Sequence, residues 1–204
     1  MWFLWLQRNR CLFDNEKPYA SLLISKIESS VALLPVPKLT KKRRKIGPKP
    51  PHYFPVGYFD GTAQLNVGGA GFMIYLSETH YFRFSLGCGL STNTRAELLA
   101  LWSILRVSFL MGIPIQRIYG DSMVIISWVN GLTTLEIATL KHWCDDILQL
   151  RQLVPSVSFN HIFREHNMLA DGLSKKALNL EVGSGHYTET LDGKVMEDGQ
   201  FTLF

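Results

Sequence analysis

The chain has 204 residues, of which 47% are hydrophobic and 19% are charged, and its formal net charge is +4. This composition predicts one globular domain and excludes a mostly disordered protein or a collagen-like repeat. The three cysteines form no CxxC pair, so neither a disulfide framework nor a zinc site has support. No apolar run reaches the ~20 residues of a membrane span, so we expect a soluble, intracellular protein without a membrane partner.

The charge is unevenly distributed along the sequence. Residues 1–54 hold 11 Lys and Arg against 3 Asp and Glu, residues 55–180 hold 9 against 9, and residues 181–204 hold 1 against 5. A basic N-terminal arm is typical of proteins that bind phosphate groups. The neutral middle of the chain does not by itself indicate such a partner.

The N-terminal region divides into two predicted segments. Residues 1–34 carry apolar side chains at helical spacing, which predicts a short helical remnant. Six of the nine prolines lie between Pro35 and Pro55, on both sides of a basic run. Because proline removes backbone donors and like charges repel, we predict a basic, proline-rich linker over residues 35–54.

The basic run within this linker consists of Lys41, Lys42, Arg43, Arg44 and Lys45. Three interpretations are open for it: a solvated spacer, an arm that binds phosphates, or a nuclear import signal. We therefore expect the protein in the nucleus or the cytoplasm.

Residues 55–180 have the pattern of an α/β domain. Apolar or alternating runs predict strands over residues 56–62, 70–77, 81–87, 115–120 and 157–163. Helical spacing predicts helices over residues 95–111, 122–130, 135–153 and 167–178. The order β-β-β-α-β-α-α-β-α predicts a five-stranded mixed sheet flanked by helices. Residues 181–204 are acidic and contain glycine, which predicts a flexible tail.

Four acidic residues stand at the ends or starts of predicted elements: Asp60, Glu97, Asp121 and Asp171. If the strands that carry Asp60 and Asp121 are neighbours, their carboxylates converge, and two helix starts can direct Glu97 and Asp171 to the same place. Clustered carboxylates repel one another unless cations neutralise them. Oxygen ligands of this kind suit hard divalent ions such as Mg²⁺ or Mn²⁺.

Each acid also has a local explanation. Asp60 precedes a glycine, as in a turn, and Glu97 follows Thr94 at the spacing of a helix capping box. Asp121 is placed to cap the next helix. Asp171 is placed as a solvated acid in a first helical turn, where the helix dipole favours negative charge.

Four motifs, read in order along the chain, resemble the signature of type 1 ribonuclease H. They are Tyr58-Phe59-Asp60-Gly61-Thr62 followed by Gly68-Gly69-Ala70-Gly71, then Thr92-Asn93-Thr94-Arg95-Ala96-Glu97-Leu98, then Tyr119-Gly120-Asp121-Ser122, and finally Asn167-Met168-Leu169-Ala170-Asp171-Gly172-Leu173. The run His161-Ile162-Phe163-Arg164-Glu165-His166 before the last motif is typical of a narrower group, the ribonuclease H-like domains of plants that descend from non-LTR retroelements. The resemblance covers about residues 56–180.

This resemblance implies a ribonuclease H-like fold and an endonuclease that hydrolyses the RNA strand of RNA–DNA hybrids. It also implies two ions, Mg²⁺ or Mn²⁺, which hold the scissile phosphate, activate a water and stabilise the leaving oxygen. Asp60 would bridge both ions, Glu97 and Asp121 would bind one, and Asp171 would bind the other. We expect a monomer.

The resemblance further implies that residues beside the carboxylates contact the hybrid. These are Gly61, Thr62, Asn93, Thr94 and Ser122. Bacterial members carry a histidine in a mobile loop before the last aspartate. In this chain that loop is short, and Arg164 and His166 are the auxiliary candidates.

The sequence departs from the family in two respects. Thr94 stands where members often have a second asparagine, and residues 132–153 contain only Lys141 and Arg151 in place of a basic hybrid-binding region. These departures leave an alternative function open: a domesticated or decayed retroelement domain that binds nucleic acid with little or no catalysis.

Overall fold

The computed structural model describes residues 53–154 and 156–204, all of which belong to one compact unit. The helical remnant predicted for residues 1–34 lies outside the described residues. So does the predicted linker over residues 35–54, apart from Tyr53 and Phe54.

In the described part of the chain, seven strands form a single sheet in the order β5-β4-β1-β2-β3-β6-β7. The strands are β1 (Val56–Gln64), β2 (Val67–Tyr75), β3 (His80–Leu90), β4 (Arg117–Gly120), β5 (Ser158–His161), β6 (Ser184–Leu191) and β7 (Lys194–Thr202). β1, β2 and β3 form an antiparallel meander. β4 pairs in parallel with both β1 and β5, which makes the sheet mixed as predicted.

Four α-helices accompany the sheet within the same described residues: α1 (Asn93–Leu110), α2 (Met123–Val129), α3 (Lys141–Leu153) and α4 (Met168–Lys176). α1 is the most buried, because apolar side chains surround most of its circumference. It packs on β1 and β2 on one side and on α3 on the other. None of the described helices combines the length and the hydropathy that crossing a bilayer requires.

Helices cover both faces of the sheet. Side chains along a strand alternate between its two faces. On β1, Gly61 lies against the backbone of α1, whereas the adjacent Asp60 contacts Ser174 of α4. α1 and α4 therefore pack on opposite faces, and β1 lies between them with its carboxyl end at the rim of both.

The prediction of a flexible acidic tail over residues 181–204 is wrong. β6 pairs with β3 along seven residues and β7 pairs with β6, so the sheet has seven strands among the described residues instead of five. Alternating apolar side chains explain this hairpin, because Tyr187, Phe201 and Leu203 pack against the main core. Between its strands, Asp192 and Gly193 have φ values of 49° and 76°, which suit a tight turn.

Candidate active site

Two carboxylates lie side by side where β1 and β4 run in parallel. Phe59 on β1 is opposite Gly120 on β4, and the residues that follow them are Asp60 and Asp121. Asp60 and Asp121 are close enough for their carboxyl groups to share a hydrogen bond. β1 continues to Gln64, so Asp60 lies within a strand and the turn explanation for it is wrong.

Glu97 approaches the same place from the first turns of α1. Thr92 is the N-cap of this helix and accepts a hydrogen bond from the backbone N–H of Arg95, so the capping box suggested by Thr94 does not form. The Glu97 carboxylate instead accepts a hydrogen bond from the Ser122 hydroxyl, with 2.6 Å between the oxygens. Glu97 is thereby tied to the segment that follows β4.

A glycine allows α1 to start this close to β1. A methyl group on Gly61 would lie 2.0 Å from the backbone nitrogen of Glu97, which is far inside any real contact. Nearby, the Asn93 side-chain oxygen accepts a hydrogen bond of 2.7 Å from the backbone N–H of Ala63. Together these contacts fix the start of α1 on the strand that carries Asp60.

Asp171 enters the site from α4 and has charged partners. One carboxylate oxygen accepts a hydrogen bond of 2.8 Å from Arg164 Nη2, and the other accepts one of 2.5 Å from Lys175 Nζ. Arg164 begins a one-turn 3₁₀ helix just before α4, whereas Lys175 lies one turn further along α4. Both oxygens of this carboxylate are therefore engaged by cationic side chains.

A cavity of about 360 Å³ joins these side chains. Eight of the eleven predicted site residues line it: Asp60, Gly61, Thr62, Asn93, Glu97, Asp121, Arg164 and Asp171. His161 and Phe163 complete the described lining. Three predicted residues, Thr94, Ser122 and His166, are not part of that lining, although Ser122 binds Glu97 directly.

Burial and mutual repulsion set the electrostatics of the cavity. Asp60 is 7% exposed, and burial, together with the neighbouring Asp121 and Asp171, raises its pKa from 3.8 to about 7. Burial also raises the pKa of Glu97, an effect that the hydrogen bond from Ser122 opposes. Burial raises the pKa of Asp171 as well, but the hydrogen bonds from Lys175 and Arg164 outweigh it and leave the pKa lowered.

Sequence reasoning missed two buried side chains that orient the carboxylates. Asn167 is 1% exposed, and its amide nitrogen donates to the Phe59 carbonyl at 2.8 Å and to Asp121 at 3.2 Å. The Ser174 hydroxyl donates to Asp60 at 3.3 Å. Helical spacing could have indicated them, because residues 167, 171 and 174 fall on the same face of a helix.

The donor set fits a hard divalent ion in its chemistry. Asp60, Glu97 and Asp121 offer carboxylate oxygens to one cavity, and a cation there would relieve the repulsion that raises the pKa of Asp60. Across residues 53–154 and 156–204, however, no group of three or more His, Cys, Asp or Glu side chains already forms a metal-binding cluster. Side-chain movements would be needed for three carboxylates to share one ion.

Within the described domain, residues 132–153 offer little positive charge for a polyanionic partner. In residues 132–153, the Arg151 guanidinium donates to the Val129 carbonyl at 2.5 Å and is therefore directed toward α2. Lys141, at the start of α3, is exposed. The structure thus supplies no compensating basic surface in the region where the sequence lacked one.

Comparisons with known proteins agree with this architecture. A 139-residue segment is 31% identical to the uncharacterized protein YpeP of Bacillus subtilis (strain 168), and it spans 63% of this chain but only 61% of that protein. The fold resembles LC11-RNase H1, isolated from compost by a metagenomic approach and solved in complex with RNA/DNA hybrid, with a TM-score of 0.55 and 29% identity. It also resembles RNase H1 of the halophilic archaeon Halobacterium salinarum NRC-1, with a TM-score of 0.53 and 23% identity.

Each of these two structural matches covers 61% of this chain and 96% of the other. They confirm the predicted ribonuclease H-like fold. Residues 58–177 match the family described as Reverse transcriptase-like, and this range includes all four carboxylates. Since it spans more than half of the 204 residues, the chain belongs to the Reverse transcriptase-like family, here with a ribonuclease H-like domain.

Proposed function

We propose that the chain is a metal-dependent endonuclease that hydrolyses the RNA strand of RNA–DNA hybrids. The observation that carries this proposal is the meeting of Asp60, Asp121 and Glu97 in one cavity, with the pKa of Asp60 raised by burial and by its acidic neighbours. Perturbed carboxylates in a cavity favour a functional site over a structural one. The similar LC11-RNase H1 binds an RNA/DNA hybrid, which supports the choice of substrate.

Asp60, Glu97 and Asp121 would hold Mg²⁺ or Mn²⁺ in this proposal, and Asp171 would serve a second ion. When bound, such ions supply an activated water and stabilise the charge on the leaving oxygen. The protein's own contribution is orientation. Ser122 fixes Glu97, and Asn167 fixes Asp121 against the backbone of β1.

The hybrid would lie across the cavity rim formed by Gly61, Thr62 and Asn93. The Asn93 side-chain oxygen already accepts a hydrogen bond from the backbone N–H of Ala63, so the side-chain NH₂ of Asn93 is the group that would donate to the hybrid. Proteins distinguish RNA from DNA by such contacts to 2′-hydroxyl groups in the minor groove.

A cleavage assay tests the proposal. Labelled RNA–DNA hybrid, duplex RNA and duplex DNA are incubated with the full chain and Mg²⁺, and with the variant Asp60→Asn as the control. We expect cleavage of the RNA strand of the hybrid alone, and a loss of about 10²–10³-fold or more in the variant, as for other transition-state stabilising groups. Equal cleavage by the variant would exclude the cavity as the active site.

The alternative function, a decayed retroelement domain that binds nucleic acid without turnover, has one specific observation in its favour. Asp171 is already occupied by Arg164 and Lys175. Binding of the hybrid without cleavage, at any Mg²⁺ or Mn²⁺ concentration, would favour this alternative. We propose, for both functions, that the domain descends from a plant non-LTR retroelement.

The affinity for a hybrid would depend on residues 41–45, which lie outside the described residues. The affinity of a protein for a duplex falls as the salt concentration rises. For each phosphate that the protein neutralises, log K falls by roughly 0.9 for every tenfold increase in salt. We expect deletion of residues 35–50 to flatten this slope and leave the rate at saturating hybrid unchanged. Unchanged slopes would favour nuclear import, or a spacer, as the use of the basic run.

A further inference from the structure

The four carboxylates of the cavity do not have equivalent partners. Asp60, Asp121 and Glu97 accept hydrogen bonds from the neutral side chains of Ser174, Asn167 and Ser122, respectively. Asp171 is the exception, because both of its oxygens bind cationic side chains. One corner of the cavity therefore carries its own positive charge.

Local structure holds this arrangement together. Lys175 follows Asp171 by four residues on α4, the spacing at which side chains of a helix meet. Arg164 precedes α4 in a short 3₁₀ turn and lines the cavity. The Asp171 side chain is 16% exposed, whereas those of Arg164 and Lys175 are 64% and 47% exposed. The two cations thus approach the carboxylate from the solvent side.

The charges of the cavity reach beyond this one carboxylate. Asp171 raises the pKa of Arg164 most, and Asp121 and Asp60 raise it further. A divalent ion that approaches Asp171 would meet two positive charges, whereas one that approaches Asp60, Glu97 and Asp121 would meet neutral donors. Like charges at these distances repel appreciably even near the protein surface.

We propose that Arg164 and Lys175 act as internal counter-ions of Asp171 that keep the second divalent ion from binding to the free protein. The chain would then hold one ion at Asp60, Glu97 and Asp121, and would take up a second only weakly at Asp171. This inference rests on the proposed metal-dependent function. It assigns to two cationic side chains the control of how many ions the cavity binds.

Metal binding without substrate tests the inference. Mn²⁺ binding to the full chain is followed by electron paramagnetic resonance of the free ion and by calorimetry. The variant Arg164→Met/Lys175→Met removes both charges, and Lys175→Met alone guards against a folding failure of the double variant. Lys176→Met is the matched control, because Lys176 is exposed and adjacent to Lys175 on α4.

We expect one Mn²⁺ per chain in the wild type and in Lys176→Met. In the double variant we expect the second Mn²⁺ to bind with at least tenfold higher affinity than in the wild type. Lys175→Met should raise the affinity for this second ion by a smaller factor. Two equal sites in the wild type, or an unchanged second site in both variants, would overturn the inference and leave the proposed function standing. A wild type that binds no Mn²⁺ would overturn both.

Discussion

The cavity and the C-terminal hairpin (residues 184–202) use acidic residues in opposite ways. In the cavity, Asp60 and Asp121 are close together, and the pKa of Asp60 is raised to about 7. In the hairpin, acids at the surface have histidine partners: Glu189 with His80 at 2.7 Å, and Asp198 with His186 at 2.6 Å. Crowding in the cavity lowers stability, whereas the hairpin surface tolerates its charge.

The difference shows where the chain departs from optimal stability. Carboxylates that repel one another persist only where surrounding structure holds them in place. In this protein that structure is the tight contact between β1 and α1, together with the buried amide of Asn167. The hairpin instead adds apolar contacts to the core through Tyr187 and Phe201. Substitutions in the two regions should therefore have different signs and sizes.

The largest effect is expected for Gly61→Ala. The new methyl group would collide with backbone atoms of Ala96 and Glu97, which cannot move like the end of a side chain. Overpacking of this kind costs about 3 kcal/mol or more and would displace Glu97, so both stability and hybrid cleavage should fall. Urea unfolding measures the stability. Gly172→Ala on α4 is the control, since a methyl group there meets nothing within 4 Å and should be neutral or slightly stabilising.

The next effect has the opposite sign and depends on pH. The folded protein holds the proton of Asp60 more tightly than the unfolded chain, because the pKa is about 7 instead of 3.8. The stability that this tighter proton binding gives the folded state is fully present below pH ~4 and is lost as the pH rises through ~7. In metal-free buffer at pH 8, Asp60→Asn should therefore be more stable than the wild type.

Thermal melts in the presence of a chelator check this prediction. At about 2–4 °C per kcal/mol, the variant should melt several degrees above the wild type at pH 8. The gap should close as the pH falls below ~4, where Asp60 becomes protonated in both states. A gap that does not change with pH would mean that relief of charge repulsion is not its cause.

A smaller loss of stability is expected in the hairpin. Phe201 is partly buried and contacts Phe84 and Tyr187 edge-on, with ring centroids 5.8 and 6.3 Å away. Phe201→Ala should cost about 2 kcal/mol, below the 3–5 kcal/mol of a fully buried ring. Hybrid cleavage at 25 °C should not change, because the ring does not line the cavity. Reduced kcat at that temperature would show that the two regions are coupled.

The smallest effect is expected on the hairpin surface. Glu197 accepts a hydrogen bond of 2.6 Å from Tyr187, and both Glu197 and Asp198 are exposed. Glu197→Gln and Asp198→Asn should each change the free energy of unfolding by less than about 0.5 kcal/mol, as is usual for surface pairs. A larger change in either direction would mean that the acids of the hairpin are not simply solvated.

Sequence patterns predicted most of the fold. The alternation of β1 to β3 and the long apolar helix α1 were readable because local periodicity reports burial directly. The hairpin was missed because the net charge of −4 over residues 181–204 outweighed the alternation of the strands within them. Charge on one face of a strand does not prevent the other face from packing on a core.

The candidate site was predictable only in part. Motif order identified the four carboxylates and most of the residues around the cavity, whose functions remain predictions. It did not indicate the partners of the carboxylates. Ser174 binds Asp60, which is distant in sequence, and this pairing depends on how α4 packs on the sheet. Only three-dimensional structure shows this.

The hairpin also has a consequence for how the domain can be shortened. The family match ends at residue 177, but β3 is paired with β6 along residues 80–86. A chain cut at the family boundary would leave this length of β3 with unpaired backbone groups and would uncover Phe84. Exposed edges of this kind recruit strands from other molecules. Aggregation of a fragment that ends at residue 177 would thus reflect a missing neighbour of β3 and not a defect of the part that carries the cavity.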